Sequence, residues 1–207
     1  MWLNIAVCVL CAYLLGNLNG SVCISALMHD DVRSHGSGNA GLTNFIRNYG
    51  TGRALLVILI DAGKAVIACL TGGLLLVPFG FWLEGVMLAG FAVLLGHTFP
   101  ALLGFRGGKG ILSGLFVALI ADWRIGLILI AVFAAIYFAT RYVSLGSVLG
   151  AAAFSICFVL FHAHNPVVAV FGALAGALVI FMHRSNIQRL LQGNERKTDL
   201  FKKGNNT

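Results

Sequence analysis

From Met1 to His29 the chain contains no Asp, Glu, Lys or Arg. About 20 consecutive apolar residues cross a bilayer as a helix, so this stretch alone is long enough to span one. Ala65–Leu83 and Gly85–Phe105 are likewise free of formal charge, and Arg141 and Arg184 enclose 42 further uncharged residues. Across the 207 residues, 59% are hydrophobic and 10% charged, against about 45–50% and about 25% in soluble domains. A soluble domain of this size needs more polar side chains to cover its surface. The same composition excludes disorder and an extended basic face for nucleic acid.

The chain therefore reads as an all-α, polytopic integral membrane protein forming a single domain over 1–207. Seven transmembrane helices are expected, at roughly 2–27, 53–77, 83–100, 109–121, 125–140, 143–162 and 165–183. His162-Ala-His-Asn-Pro166 breaks the long uncharged run, and Asp122-Trp-Arg124 separates two shorter ones. The helix at 109–121 is short enough to be partly re-entrant. Strands are excluded because the apolar runs do not alternate with period two. Met1 precedes no basic leader, and Asn17, Asn19 and Gly20 interrupt the first run, so no cleaved signal peptide is expected. With the N-terminus outside and the C-terminus cytoplasmic, twelve of the fourteen Lys and Arg fall on the inner side. Only Arg124 lies outside, and Lys64 lies within a span. The five cysteines, with a Cys8-x-x-Cys11 pair, lie in apolar runs and read as small buried hydrophobes. The polar tail 194–207 is expected to fray.

The polar residues gather in three segments on the inner side. The first is His35-Gly-Ser-Gly-Asn-Ala-Gly-Leu-Thr-Asn-Phe-Ile-Arg47. Gly36, Gly38 and Gly41 let consecutive backbone N–H groups face an anion. Ser37, Asn39, Thr43 and Asn44 add neutral donors, and Arg47 can bind phosphate through two bonds. A Gly-rich loop capping a helix at Asn39 or Thr43 would look the same. The second runs from Gly96 to Gly110 and holds Arg106-Gly107-Gly108-Lys109-Gly110. Glycines that admit a phosphate and a lysine that supplies charge resemble a phosphate loop in logic, but the Walker spacing and its Ser or Thr are absent. His97 is a candidate base or a satisfied helix-end polar group. In the third, His183-Arg-Ser-Asn-Ile-Gln-Arg-Leu-Leu-Gln-Gly193, His183 and Asn186 share a helix face, and Arg189 reads as an interfacial arginine with its stem in apolar surroundings. Within the second span, Asp61 and Lys64 stand three apart, either as a structural ion pair or in direct contact with substrate.

Gly-rich cationic segments beside membrane helices suit a phosphorylated, water-soluble substrate meeting an acyl or lipid substrate at the inner interface. A transporter of a phosphorylated metabolite would spread polar residues through the membrane depth. A CDP-alcohol phosphotransferase would need an acidic metal-binding cluster. Neither pattern is present in the sequence.

In order and spacing, Gly36–Asn44, Gly96-His-Thr-Phe-Pro100 with Phe105–Gly110, and His183–Ile187 with Arg189-Leu-Leu191 and Gly193 resemble the three signature motifs of the bacterial acyl-phosphate-dependent glycerol-3-phosphate acyltransferase family (PlsY). Ile60-Asp-Ala-Gly-Lys64 and Arg141-Tyr-Val-Ser-Leu145 are also similar to that family. The resemblance implies seven membrane helices in the bacterial plasma membrane and a site on the cytoplasmic side. It implies acyl transfer from acyl phosphate to the 1-hydroxyl of glycerol 3-phosphate, giving lysophosphatidate and phosphate. No cofactor, metal or acyl-CoA is implied, and a functional monomer among membrane lipids is expected. Ser37, Arg47, Lys109, His183 and Asn186 would bind phosphate and position glycerol 3-phosphate. His97 would orient or polarise a reacting group. Gly36, Gly38, Asn39, Gly41, Thr43 and Asn44, with Arg106, Gly107, Gly108 and Gly110, would shape the substrate pocket. His183 or a substrate phosphate oxygen would act as base. Departures from the family pattern are Ala40, Leu42, Arg106, Ser185, Asn17 and Asn19, none of which removes a proposed ligand.

Overall fold

A computed structural model describes residues 1–198. It contains α1 (Trp2–Gly16), α2 (Gly20–Ala26), α3 (Leu42–Tyr49), α4 (Ala54–Leu76), α5 (Trp82–Thr98), α6 (Ile111–Ala121), α7 (Trp123–Thr140), α8 (Val143–Phe161), α9 (Pro166–Met182) and α10 (Arg184–Leu191), with no strand among the described residues. The expected helix at 2–27 is two helices meeting at 45°, and α9 turns by 57° into α10. Asn19 causes the first break: its side chain caps α2 by accepting from the Val22 N–H at 3.1 Å.

Four helical segments, Ala54–Phe79, Trp82–Leu103, Trp123–Thr140 and Val143–Phe161, are long and apolar enough to cross a membrane. The bent pairs α1–α2 and α9–α10 each pass that test together. α6 does not: its 11 residues cover about 16 Å, roughly half a hydrocarbon core. It starts at Ile111, and Lys109 and Gly110 belong to the loop before it.

The helices approach closely through glycine, as membrane helices do where no hydrophobic effect drives them together. A Cβ on Gly72 of α4 would strike the Gly85 carbonyl of α5, and a Cβ on Gly96 of α5 would strike the Tyr13 carbonyl of α1. Around these contacts Ala65, Cys69, Val86, Met87 and Val93 form the core. At the end of the bundle far from the glycine loops, Asp122 caps α7 through the Arg124 N–H at 3.0 Å. Its carboxylate also pairs with Arg124 at 2.7 Å and lies 3.2 Å from the His162 ring. This joins the α6–α7 turn to the predicted break after α8.

Two further expectations need correction. Cys8 and Cys69 are buried, but Cys11 is exposed and Cys23 and Cys157 are half-buried. Residues 194–198 are not frayed: Thr198 is buried and its N–H donates to the Arg141 carbonyl at 3.1 Å. The remaining tail residues, 199–207, lie outside the described residues.

Candidate active site

A cavity of about 450 Å³ opens where the three polar segments converge. Its mouth is lined by Ser37, Asn39, Gly41, Thr43, Asn44 and Arg47, by His97, Lys109 and Gly110, and by His183, Asn186, Arg189 and Glu195. Its interior is apolar and runs between α6, α7, α8 and α9 past Leu115, Phe133, Gly150 and Phe154. A smaller cavity beside the mouth takes in Gly38 and Arg184. Among the predicted residues, Gly36, Arg106, Gly107 and Gly108 line neither cavity, and Arg106 is exposed.

The first loop is built around Asn44. Its amide hydrogens go to the carbonyls of Val32, His35 and Asn39 at 3.0–3.1 Å, and its oxygen accepts from the Ser37 N–H at 3.0 Å. Asn44 is buried and fully engaged, so it braces the loop and leaves Ser37 and Arg47 facing the mouth. Gly36 and Gly38 take positive φ values of 61° and 69°, which only glycine adopts freely. The Asn19 amide fixes the loop to the membrane helices by donating to the Ala40 carbonyl at 2.9 Å.

The second loop folds back on α5. The Gly108 N–H donates to the His97 carbonyl at 3.0 Å. A Cβ on Gly108 would enter the His97 ring, and one on Gly107 would strike the His97 carbonyl. These two glycines therefore serve close packing against His97. On its other side, His97 Nδ1 lies 2.7 Å from the Lys64 ammonium, which is 2.8 Å from Asp61. All three side chains are buried, and Asp61 and His97 border the cavity.

The third segment completes the mouth. His183 Nδ1 donates to the Val179 carbonyl at 2.8 Å. A carbonyl only accepts, so in the neutral ring Nε2 keeps its lone pair. Lys109 donates to the Asn186 side-chain oxygen. Asn186 donates to Glu195 at 2.7 Å, and Arg189 holds the other Glu195 oxygen at 2.7 Å. Burial, with repulsion from Arg189, lowers the Lys109 ammonium to about 8. Burial pushes the Glu195 carboxyl up, but hydrogen bonds from Asn186 and Arg189 outweigh it and hold the group below its ordinary value. Arg47 donates to the Thr198 hydroxyl, and Tyr137 donates to the Thr198 carbonyl at 3.2 Å. Residues 194–198 thus lie as a strap between α3, α7 and α10.

Glu195, Ser144 and the strap are absent from the sequence-derived site, and Arg189 was assigned to the interface. The available signal was Glu195 itself, one of only seven acids, placed just after the third cationic segment. Among the described residues, no group of three or more His, Cys, Asp or Glu is arranged to hold a metal ion. The mouth can bind phosphate through Arg47, Lys109 and backbone N–H groups, and the interior can house an apolar chain.

Residues 6–193 match the family model described as glycerol-3-phosphate acyltransferase. A glycerol-3-phosphate acyltransferase of Thermoanaerobacter sp. (strain X514) is 40% identical over 90% of this chain and 91% of its own. One of Thermosynechococcus vestitus (strain NIES-2133 / IAM M-273 / BP-1) is 41% identical over 90% and 91%. Two crystal structures of the integral membrane glycerol 3-phosphate acyltransferase PlsY (YgiH) superpose on this fold. The glycerol 3-phosphate form has a TM-score of 0.85 and 32% identity, covering 96% of this chain and 99% of its own. The lysophosphatidic acid form has 0.81 and 33%, covering 95% and 96%. With the family model matched over nearly its whole length and the three loops assembled around one cavity, the chain belongs to the glycerol-3-phosphate acyltransferase family.

Proposed function

We propose that this protein transfers a fatty acyl chain from acyl phosphate to the 1-hydroxyl of glycerol 3-phosphate, releasing lysophosphatidate and inorganic phosphate. The observation that carries the reading is the two-part cavity: a cationic mouth continuous with an apolar interior that reaches Phe154. The related structures in glycerol 3-phosphate and lysophosphatidic acid forms support the acceptor and the product.

In this reading Arg47 and Lys109 hold phosphate, with Ser37, His183 and Asn186 orienting the glycerol moiety. The hydroxyl oxygen forms a bond to the acyl carbon, and the bond from that carbon to the phosphate oxygen breaks. The hydroxyl proton passes to His183 Nε2 or to a substrate phosphate oxygen. Cations and N–H dipoles stabilise the charge that develops on the carbonyl and on the departing phosphate. Phosphate leaves readily, so the reaction requires neither a strong acid nor an acyl-enzyme.

The topology belongs to the same proposal. α1–α2, α4, α5, α6, α7, α8 and α9 make seven spans in a bacterial plasma membrane, with α6 the shortest. The N-terminus is outside, the mouth faces the cytoplasm, and the enzyme works as a monomer. The positive-inside count supports this orientation.

The test is a comparison of donors. Purified protein given acyl phosphate and glycerol 3-phosphate is expected to release phosphate and lysophosphatidate equally well with and without a chelator. Acyl-CoA and acyl carrier protein are not expected to substitute. Activity with acyl-CoA alone, or loss of activity on chelation, would overturn the donor assignment.

A further inference from the structure

Lys64 sits at the centre of a buried polar knot. Its ammonium is 2.8 Å from Asp61 Oδ1 and 2.7 Å from His97 Nδ1, and it also donates to the carbonyls of Gly16 (3.2 Å) and Leu18. Asp61 Oδ1 is anchored in turn by the Gly20 N–H at 3.1 Å. Beside the Asp61 carboxylate, Lys64 is an ammonium with three donors and no acceptor. Its four partners share three hydrogens, the Gly16 carbonyl at 3.2 Å taking the longest bond. Asp61 Oδ1 lies 3.6 Å from His97 Nδ1, beyond hydrogen-bond reach. A bond between Lys64 and His97 can therefore form only if Nδ1 carries no hydrogen. The neutral ring must then hold its proton on Nε2, and that edge of the ring faces Gly108 across the second loop.

We propose that Lys64, held by Asp61, is a positioning residue that locks His97 as the Nε2–H tautomer, so that His97 donates a hydrogen bond to an oxygen of the acyl phosphate. This rests on the acyl-transfer reading above. It removes His97 as a general base, because Nδ1 is occupied by Lys64 and Nε2 already bears a proton. It also gives the two site histidines opposite polarities. His97 offers a donor where charge develops, and His183, with Nδ1–H spent on Val179, offers an acceptor. A buried ion pair inside a membrane protein is costly, and setting the direction of one ring hydrogen accounts for this one.

The first test is ¹⁵N-imidazole NMR of the full-length protein in detergent micelles. The His97 ring is expected as a neutral Nε2–H tautomer. A protonated Nδ1, in either the other tautomer or the imidazolium, would overturn the proposal. This reading needs neither a variant nor a substrate, so it stands or falls apart from the choice of donor.

The second test is kinetic. His97→Asn keeps an acceptor near the Nδ1 position but has no group at Nε2, and is expected to lower kcat by about 10²–10³ with KM for glycerol 3-phosphate within about twofold. His97→Gln restores an N–H near the Nε2 position and is expected to recover at least about tenfold of that loss. Lys64→Met is expected to lower kcat by about tenfold or more in the native background and by less than about twofold in the His97→Gln background, because Lys64 acts through the ring it orients. Equal losses in both backgrounds, or full activity of His97→Asn, would overturn it.

Discussion

The Lys109 ammonium ends on the side-chain oxygen of Asn186, 77 residues further along the chain. That bond joins the second glycine loop to the bend between α9 and α10. The same Asn186 amide holds Glu195, so the flexible lysine stem is fixed at the mouth that Arg189 and Arg47 also line, and among the described residues it forms no ion pair of its own. A cation oriented by a neutral amide keeps its charge for a ligand.

Lys109→Ala and Arg47→Ala should each lower kcat/KM by about 10–100-fold, the loss of one charge-assisted hydrogen bond of about 1.5–3 kcal/mol. Both variants should elute like the native protein on size exclusion, since Arg47 is exposed and Lys109 half-buried. Steady-state rates beside those profiles provide the check. Native activity in both variants would remove them as phosphate ligands.

The pH dependence follows from the lowered Lys109 value of about 8. In the free enzyme Lys109 loses its proton as pH rises through about 8, while substrate phosphates, with a second pKa of about 6, stay dianionic. KM for glycerol 3-phosphate should therefore climb above about pH 8, with binding strongest below it. An initial-rate series from pH 6.5 to 9.5 tests the direction, and a KM that falls across that window would contradict it.

Gly108→Ala should abolish most activity, because the new methyl group has the His97 ring on one side and the Ala40 carbonyl at 3.0 Å on the other. Either the loop or His97 must move, and small misplacements at a reacting centre cost about 10²-fold. Gly63→Ala on α4, with nothing within 4 Å, should leave activity unchanged. Turnover of the two variants at matched expression tests the contrast.

Glu195→Gln should shift the KM inflection to lower pH. The Glu195 charge raises the Lys109 value, so its removal lets Lys109 deprotonate earlier. Arg189 also loses its ion pair, and kcat should drop by about tenfold as Asn186 loosens. Ending the chain at Gly193 should cost more than Glu195→Gln, since it also removes Thr198 from Arg47 and Arg141. A pH–KM series on these two variants separates the charge effect from the loss of the strap.

Much of this arrangement was legible in the sequence because uncharged runs and glycine-flanked cations are local signals. The boundaries at His162–Pro166 and Asp122–Arg124 follow from residues that break or cap a helix where they stand. The break at Asn19 was less visible, because it lies inside an uncharged stretch, whereas the end of the last span at His183 was legible from the cationic segment that begins there. Asn44 and Gly108 read as phosphate-facing from composition alone, whereas the structure uses them to brace the first loop and to admit His97. Such roles depend on contacts between residues far apart in the chain. Glu195 escaped notice for a related reason. An acid in a polar tail looks solvated until the fold places two donors on its oxygens, 2.7 Å away.

The strap gives this site a place in time as well as in space. Glu195 and Thr198 follow every membrane segment, so they are the last parts of the mouth to be synthesised. Arg47, made early in the first loop, waits for its Thr198 partner until α10 has formed. A nascent chain with α1 to α8 already inserted has most of its apolar cavity walls but no closed polar mouth. The mouth is therefore complete only once the last helix and residues 194–198 are in place.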